Sequence, residues 1–449
     1  MKKTLIISII TLLSGFAAEA QVLNLSLQQC REMALTSNED VKISQYQNEK
    51  AKIEKKIAQT AYFPKFSGSA TYGWTNTGME VILPKINLPF SIMQGIPIDI
   101  GRIIPDKIDM GIKTDFYMFG VTLQQPVFAG GKVLTGNKMA KKTIELTEEY
   151  GNMLRMSVIA EAEKAYWQHY SLSDKIKLFE QYEVLLDTLY ESISAMISVK
   201  MATENDLLKV LSRKGNIQYQ MQRAKNGMEL SRMQLCRIIG ADLNTKIVLT
   251  DTIAAEVDEI TDNSYNLTMR PEYRIMQKQL ELKELNIRNV LGDFLPTLGI
   301  MAGYNYIGKI ELERIALQMK RPNPIVMASL SVPIFHFLEG SKKIKSAKIV
   351  RDIQQEELNK NSKLLTIEMH YTERNLQDAF LLVRISETAL EQAQANLRRT
   401  QDSYEVGMST LLDVLDAQAQ WQEAYSNSID ARVQYKISEV EYLRVTGKL

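Results

Sequence analysis

The sequence predicts an α plus membrane β-barrel fold in which each chain supplies four strands to a shared barrel and continues into long coiled-coil helices built as two repeats. Three observations predict it: where the prolines lie, an internal duplication, and four short stretches of strict alternation. All eleven prolines fall between Pro64 and Pro126 or between Pro271 and Pro333. The stretches 127–270 and 334–449 hold none, and because proline is excluded from helix interiors, two very long helical tracts are expected there.

The duplication is read by laying the halves side by side. Ala61-Tyr62-Phe63-Pro64 through Trp74 matches Asp293-Phe294-Leu295-Pro296 through Tyr306 at a spacing of 232. Further on, Pro126 pairs with Pro333, Met201 with Met408, Asp206 with Asp413 and Gly240 with Gly447, each at 207. The first half therefore carries 25 extra residues, placed as an insertion at 76–115.

In chain order, Met1-Lys2-Lys3, the apolar run Leu5 to Leu13 and Ala18-Glu19-Ala20 have the layout of a secretory signal cleaved after residue 20. Cys30 is neither at the cleavage point nor preceded by small residues, which argues against a lipid anchor. Export permits a Cys30–Cys236 disulfide, but two cysteines this far apart do not make a disulfide scaffold. Without Lys2, Lys3 and Glu19, basic and acidic residues number 52 each, and a formally neutral chain gives a nucleic-acid partner no support. Past the signal no run of about 18 apolar residues occurs, so a membrane span has to be a β-barrel.

A helix near 39–62 leads to the first strand. From Phe66 to Trp74, Phe66, Gly68, Ala70, Tyr72 and Trp74 alternate with Ser67, Ser69, Thr71 and Gly73, and a period of two is a strand. Looser alternation follows at Phe119, Val121, Leu123; at Leu298, Ile300, Ala302, Tyr304, Tyr306; and at Ala328, Leu330, Val332. Strands of about ten residues with aromatics on one side and small polar residues on the other fit lipid outside and water inside. A soluble four-stranded sheet is the plainer alternative. Four strands cannot close a membrane barrel, whereas three chains would give twelve, an even number. Helices are expected at 132–198, 204–239, 272–293, 340–405 and 411–445, and antiparallel helices of this length bury their apolar stripes by coiled-coil packing.

The two helix-to-helix turns read Val199-Lys200-Met201-Ala202-Thr203-Glu204-Asn205-Asp206 and Val406-Gly407-Met408-Ser409-Thr410-Leu411-Leu412-Asp413. Gly407 suits a left-handed helix cap. Thr203 and Thr410, each with Asp three residues on, resemble capping boxes. Capping leaves Asp416 unexplained. It lies on one helix face with Asp413, and in a trimer the pair would place six carboxylates near one axis, a ring that attracts cations.

An enzyme finds no support: His169, His336 and His370 lack ligand spacing, so no metal or cofactor is expected, and no phosphate loop or nucleophile elbow occurs. Gly130-Gly131-Lys132 is better read as a strand-to-helix turn.

The stretch Ser403-Tyr404 through Asp413-Val414-Leu415-Asp416-Ala417-Gln418, with the duplication and the Pro-bounded strands, resembles the TolC family of outer-membrane efflux proteins. The resemblance covers essentially the whole chain past residue 20. It implies a homotrimeric outer-membrane duct with a twelve-stranded barrel and a long periplasmic α-barrel, in contact with outer-membrane lipid. The chain would divide into a first repeat (21–240), an equatorial linker region (241–270) and a second repeat (271–449). The resemblance implies a periplasmic adaptor (membrane fusion) protein, docked at the tips Val199, Met201, Ala202, Thr203, Val406, Gly407, Met408 and Thr410. It also implies an inner-membrane pump such as a resistance-nodulation-division transporter. Asp413 and Asp416 would form the entrance rings, and Asp206 and Tyr404 would belong to the resting gate. Ser409 stands where relatives with that lock often carry a basic residue, and Lys200 where the turn glycine is expected, so Lys200 or a neighbouring basic residue would take the cationic part. Small-molecule efflux is the expected task. A type I protein-secretion duct and a soluble periplasmic coiled-coil scaffold or adaptor are the alternatives, and a segment at 76–115 between two strands would be an extracellular loop able to cover the exit.

Overall fold

The structure, a computed structural model, describes residues 22–82, 107–253, 266–308 and 323–449. The signal at 1–20 lies outside the described residues. In chain order the elements are β1 (Val22–Leu25), α1 (Leu27–Ser37), α2 (Glu39–Thr60), β2 (Lys65–Ile82), β3 (Lys107–Ala129), α3 (Lys132–Ser198), α4 (Glu204–Ile239), β4 (Lys246–Leu249), α5 (Pro271–Gly292), β5 (Thr297–Gly308), β6 (Asn323–Ser331), α6 (Glu339–Glu405) and α7 (Leu411–Thr446). The duplication is visible in the lengths: α3 and α6 have 67 residues each, α4 and α7 have 36 each. At 1.5 Å per residue the longer helices run about 100 Å. Among the described residues no helix is long and apolar enough to cross a membrane.

The chain divides into two compact units. One comprises Ile53–Lys141 and Leu282–Arg351 and holds an antiparallel sheet in the order β2-β3-β5-β6. Its register sorts the side chains. Ala70 stands opposite Phe119 and Phe119 opposite Tyr306; Phe66 pairs with Leu123, Leu123 with Ala302, and Ala302 with Val326. Because side chains alternate, Phe66, Tyr72, Phe119, Val121, Leu123, Tyr304, Tyr306, Val326 and Leu330 share one face, and Ser67, Ser69, Thr122, Gly303 and Ser329 share the other, together with Met118, Met301, Ile325 and Met327. Phe119 and Tyr306 stack at 4.9 Å between ring centroids. A β-bulge between Pro126 and Phe128 absorbs the proline that a regular ladder would not hold.

The first hairpin departs from the expected strand length. β2 and β3 have 18 and 23 residues, paired without interruption out to Ile82 and Lys107, so 76–82 and 107–115 belong to strands and not to a loop. Past Trp74 the alternation changes phase, with Met79 and Val81 at positions of opposite parity to Phe66, Tyr72 and Trp74, and this break together with the count of inserted residues obscured the strand. The remainder, 83–106, lies outside the described residues.

The other unit contains residues up to Lys52, Lys142–Glu281 and Asp352–Leu449. Its main core joins Leu178, Tyr182, Leu186, Leu189 and Ile193 of α3 to Val210, Ile217, Met221 and Ala224 of α4, with Leu411, Val414, Leu415 and Trp421 of α7. Spacings of three, four and seven are those of a coiled-coil seam, and each such aliphatic side chain contributes about 1.5–3 kcal/mol when fully buried. A second core gathers Leu25, Cys30, Ala34, Tyr166, Trp167, Leu235, Cys236 and Ile247. Both cysteines are buried free thiols, and burial pushes the Cys30 thiol up to about 12. In this unit β1 pairs in parallel with β4 from Val22↔Lys246 to Leu25↔Leu249. Tyr166 Oη donates to Leu25 O (3.1 Å), and Asp251 Oδ2 accepts from the Leu27 amide (2.6 Å).

One cation is almost wholly enclosed. Arg270, 1% exposed, reaches Glu368 at 2.8 Å, Glu272 at 3.3 Å and the Leu365 carbonyl at 3.3 Å. Arg444 adds contacts of 3.6 Å to both carboxylates.

Candidate functional site

The turns between α3 and α4 and between α6 and α7 have the same hydrogen-bonded frame. Met201 N–H donates to Met196 O and Met408 N–H to Ser403 O, both at 2.8 Å; Lys200 N–H donates to Ile197 O and Gly407 N–H to Tyr404 O, both at 3.0 Å. This closing pattern needs a left-handed residue. Gly407 supplies it at φ 76°, whereas Lys200 adopts it at φ 63° with a side chain attached. Left-handed backbone costs an ordinary L-residue about 1–2 kcal/mol, so Lys200→Gly is expected to raise stability by about 1 kcal/mol, part of the gain being offset by the freer unfolded chain. Thermal melting checks this; a lower melting temperature for K200G would show that the lysine side chain holds the turn.

Both helices then start on capping boxes. Thr203 Oγ1 donates to Asp206 Oδ2 (2.7 Å) while the Asp206 amide donates back to Thr203 Oγ1 (3.3 Å). Thr410 Oγ1 donates to Asp413 Oδ2 (2.7 Å), the Thr410 amide donates to the same oxygen (2.8 Å), and the Asp413 amide returns to Thr410 Oγ1 (3.3 Å). The Thr203 hydroxyl, followed by Lys209 at 3.1 Å, holds the Asp206 carboxyl below the usual carboxylate range. The Thr410 hydroxyl and then its amide do the same for Asp413. Aspartate in place of the commoner glutamate closes the box at both tips.

Asp416 takes no part in a cap. Its carboxylate, 58% exposed, faces the Arg213 guanidinium on α4 at 4.0 Å. The repeat explains the difference, because Asp416 corresponds at the 207 spacing to Lys209. In α4 the Asp206–Lys209 pair neutralises itself; in α7 Asp413 and Asp416 leave two negative charges at one helix start. Tyr404 is half-buried against the main core, and its hydroxyl lies 3.9 Å from Met196 Sδ. Burial first and the Asp206 charge second push that phenol up. Val199, Met201, Val406 and Met408 are exposed, Met408 at 84%; Ala202 packs on the core, and Ser409 is half-buried.

Among the described residues Lys200 makes no ion pair, so within one chain the cation near the tip acids is not Lys200 but Lys209 on Asp206 and Arg213 on Asp416. Arg213 was not singled out from sequence. A basic residue seven after Asp206 on the same helix face was the available signal. The histidines serve locally: His169 Nδ1 is 2.7 Å from Ser231 Oγ, and His336 sits edge-on to Phe294.

Comparison with known proteins gives a consistent set. The model of the outer membrane efflux protein family matches residues 30–241 and 267–448. The chain is similar to the outer membrane protein TolC of Vibrio cholerae serotype O1, 20% identical over 389 residues that cover 85% of each. Its fold is similar to a crystal structure of CusC (TM-score 0.76, 12% identity, 94% of this chain and 92% of that one). The Campylobacter jejuni CmeC outer membrane channel gives a TM-score of 0.73 at 18% identity, covering 94% and 85%, and the open state of the Neisseria gonorrhoeae MtrE outer membrane channel 0.71 at 14%, covering 94% and 88%.

Proposed function

Because this chain belongs to the outer membrane efflux protein family, we propose that three copies build one passive duct through which small toxic molecules leave the periplasm. The protein resides in the Gram-negative outer membrane and extends into the periplasm as a TolC-like exit duct. The observation that carries the trimer is the sheet: one face of aromatic and aliphatic side chains, a second with Ser67, Ser69, Thr122 and Gly303, and two edges, β2 and β6, left unpaired among the described residues. An open edge cannot stand in hydrocarbon, where every backbone amide and carbonyl needs a partner. Edge β6 of one copy pairing with β2 of the next satisfies both, and three copies give twelve strands.

In this reading the face with Phe66, Tyr72, Phe119 and Tyr306 meets lipid and the face with Ser67, Ser69, Thr122 and Gly303 meets water. No step of chemistry occurs in the duct. The tips carry the selectivity, with Asp413 and Asp416 as acidic rings and Asp206, Tyr404, Lys200 and Ser409 in the resting closure. A periplasmic adaptor coupled to an inner-membrane pump such as a resistance-nodulation-division transporter docks on the exposed turn residues around Met201 and Met408. The mass of the detergent-solubilised protein tests the assembly: three times the mass of the chain without residues 1–20 is expected. A monomer of that mass, conducting or not, would sink the shared barrel.

A further inference from the structure

We propose that the first turns of α6, with the strained apolar junction before them, form a docking surface for anionic phospholipid headgroups at the periplasmic face of the outer membrane. This rests on the outer-membrane reading above and adds a lipid class to it.

The junction is where the two repeats differ most. At the 207 spacing Gly130 and Gly131 correspond to Phe337 and Leu338. All four residues have positive φ: 61° and 79° in the first repeat, 43° and 65° in the second. The backbone thus turns the same way twice, once with glycines and once with two large side chains in a region that strains them. Among the described residues nothing covers the added surface. Ile334 is 92% exposed, Phe337 86%, Phe335 67% and Leu338 67%. Four large apolar side chains held out together, at a cost in backbone strain, mark a surface that is covered when the protein is in place.

What covers it follows from what lies on either side. Before it runs β6 with its apolar face; after it come Lys342, Lys343, Lys345 and Lys348, all exposed within the first three turns of α6. The chain therefore passes from apolar strand to aromatic junction to lysines, the order of hydrocarbon, interface and headgroup. Lys342 to Lys348 rise about 9 Å along the helix, comparable with the depth of a headgroup layer.

The other helix ends at this edge of the sheet have the same sign. Lys55 and Lys56 close α2, Lys132, Lys138 and Lys141 open α3, and Lys283 and Arg288 lie near the end of α5. With Arg351, the described residues of this unit outside its strands include twelve basic ones against four acidic ones, Glu54, Glu284, Asp293 and Glu339. Two of those acids already pair with its own lysines, Asp293 with Lys132 and Glu339 with Lys343, both at 2.6 Å. In a chain that is neutral overall past residue 20, this is a local cationic collar. The same segments of a second copy carry the same excess of positive charge, so the complementary surface is an anionic lipid layer, to which each nearby lysine adds about fivefold in affinity.

The test uses the full detergent-purified assembly, the number of lipids retained per assembly measured by native mass spectrometry, and mixed micelles with either dioleoyl phosphatidylglycerol or dioleoyl phosphatidylcholine. The expected result is a preference for phosphatidylglycerol of at least about tenfold, reduced by high salt. It should be lost in the variant K342Q/K343Q/K345Q/K348Q and kept in the corresponding four-arginine variant. Equal retention of the two lipids, or a glutamine variant that retains phosphatidylglycerol as the parent does, would overturn the proposal. So would a glutamine variant that changes only assembly mass, which would assign the lysines to contacts between copies. Mass and single-channel conductance of the unaltered protein report separately on the duct itself.

Discussion

Replacing Arg270 with methionine is expected to destabilise the protein by roughly 3 kcal/mol, the low end for breaking a buried ion pair, because Glu368 retains 40% exposure. The loss arises less from the missing attraction than from what remains. Glu272 and Glu368 would face each other with only Arg444, at 3.6 Å from each, to balance them. Over a chain of this size that corresponds to a fall of about 3 °C in melting temperature if the chain melts as one unit. The double variant R270M/E368M should recover much of the loss, since removing both partners leaves no stranded charge. A melting temperature unchanged in R270M would mean that the cluster contributes nothing.

The second large effect is on conduction. Asparagine at 413 and 416 keeps an acceptor for the Thr410 cap and removes the charge, so D413N/D416N separates capping from electrostatics. In a trimer it deletes six charges near one axis. A unit charge at about 4 Å is worth on the order of 1 kcal/mol even in water, so block by a trivalent cation in planar bilayers should weaken by at least about tenfold, with cation selectivity falling in parallel. Selectivity identical to the parent would return both residues to helix capping alone. The companion variant R213Q predicts the opposite direction, because Asp416 loses the cation that stands 4.0 Å from it.

The long helices were legible because two independent signals coincide: absence of proline and a repeat of constant offset. The α3–α4 turn falls between Ser198 and Glu204, where Thr203 and Asp206 announce a cap. The four-strand pattern was legible for the same reason, since alternation in each strand and the register between strands put the same residues on one face. What sequence does not carry is pairing across distance. Val22–Leu25 and Lys246–Leu249 are four residues each, too short for a period to register, and nothing local marks one as the partner of the other. Arg270 and Arg213 read as ordinary surface charges; only packing encloses the first, and only the approach of α7 gives the second a partner. The candidate site was half visible in this sense. Its acids and turns have local signatures, whereas its cations are defined by neighbours.

The β1–β4 pair also sets an order of events. Val22 and Lys246 are 224 positions apart, as are Leu27 and Asp251, so the first strand to emerge during export has no partner until more than half of the chain has followed. Contacts of such separation form slowly, because the loop must close before the strand is rewarded. The N-terminal segment therefore spends export as a bare edge, and its docking is a late checkpoint of maturation. Shortening the chain before Lys246 removes that checkpoint, and Leu25, the Tyr166 hydroxyl and the Leu27 amide lose their shared anchor together.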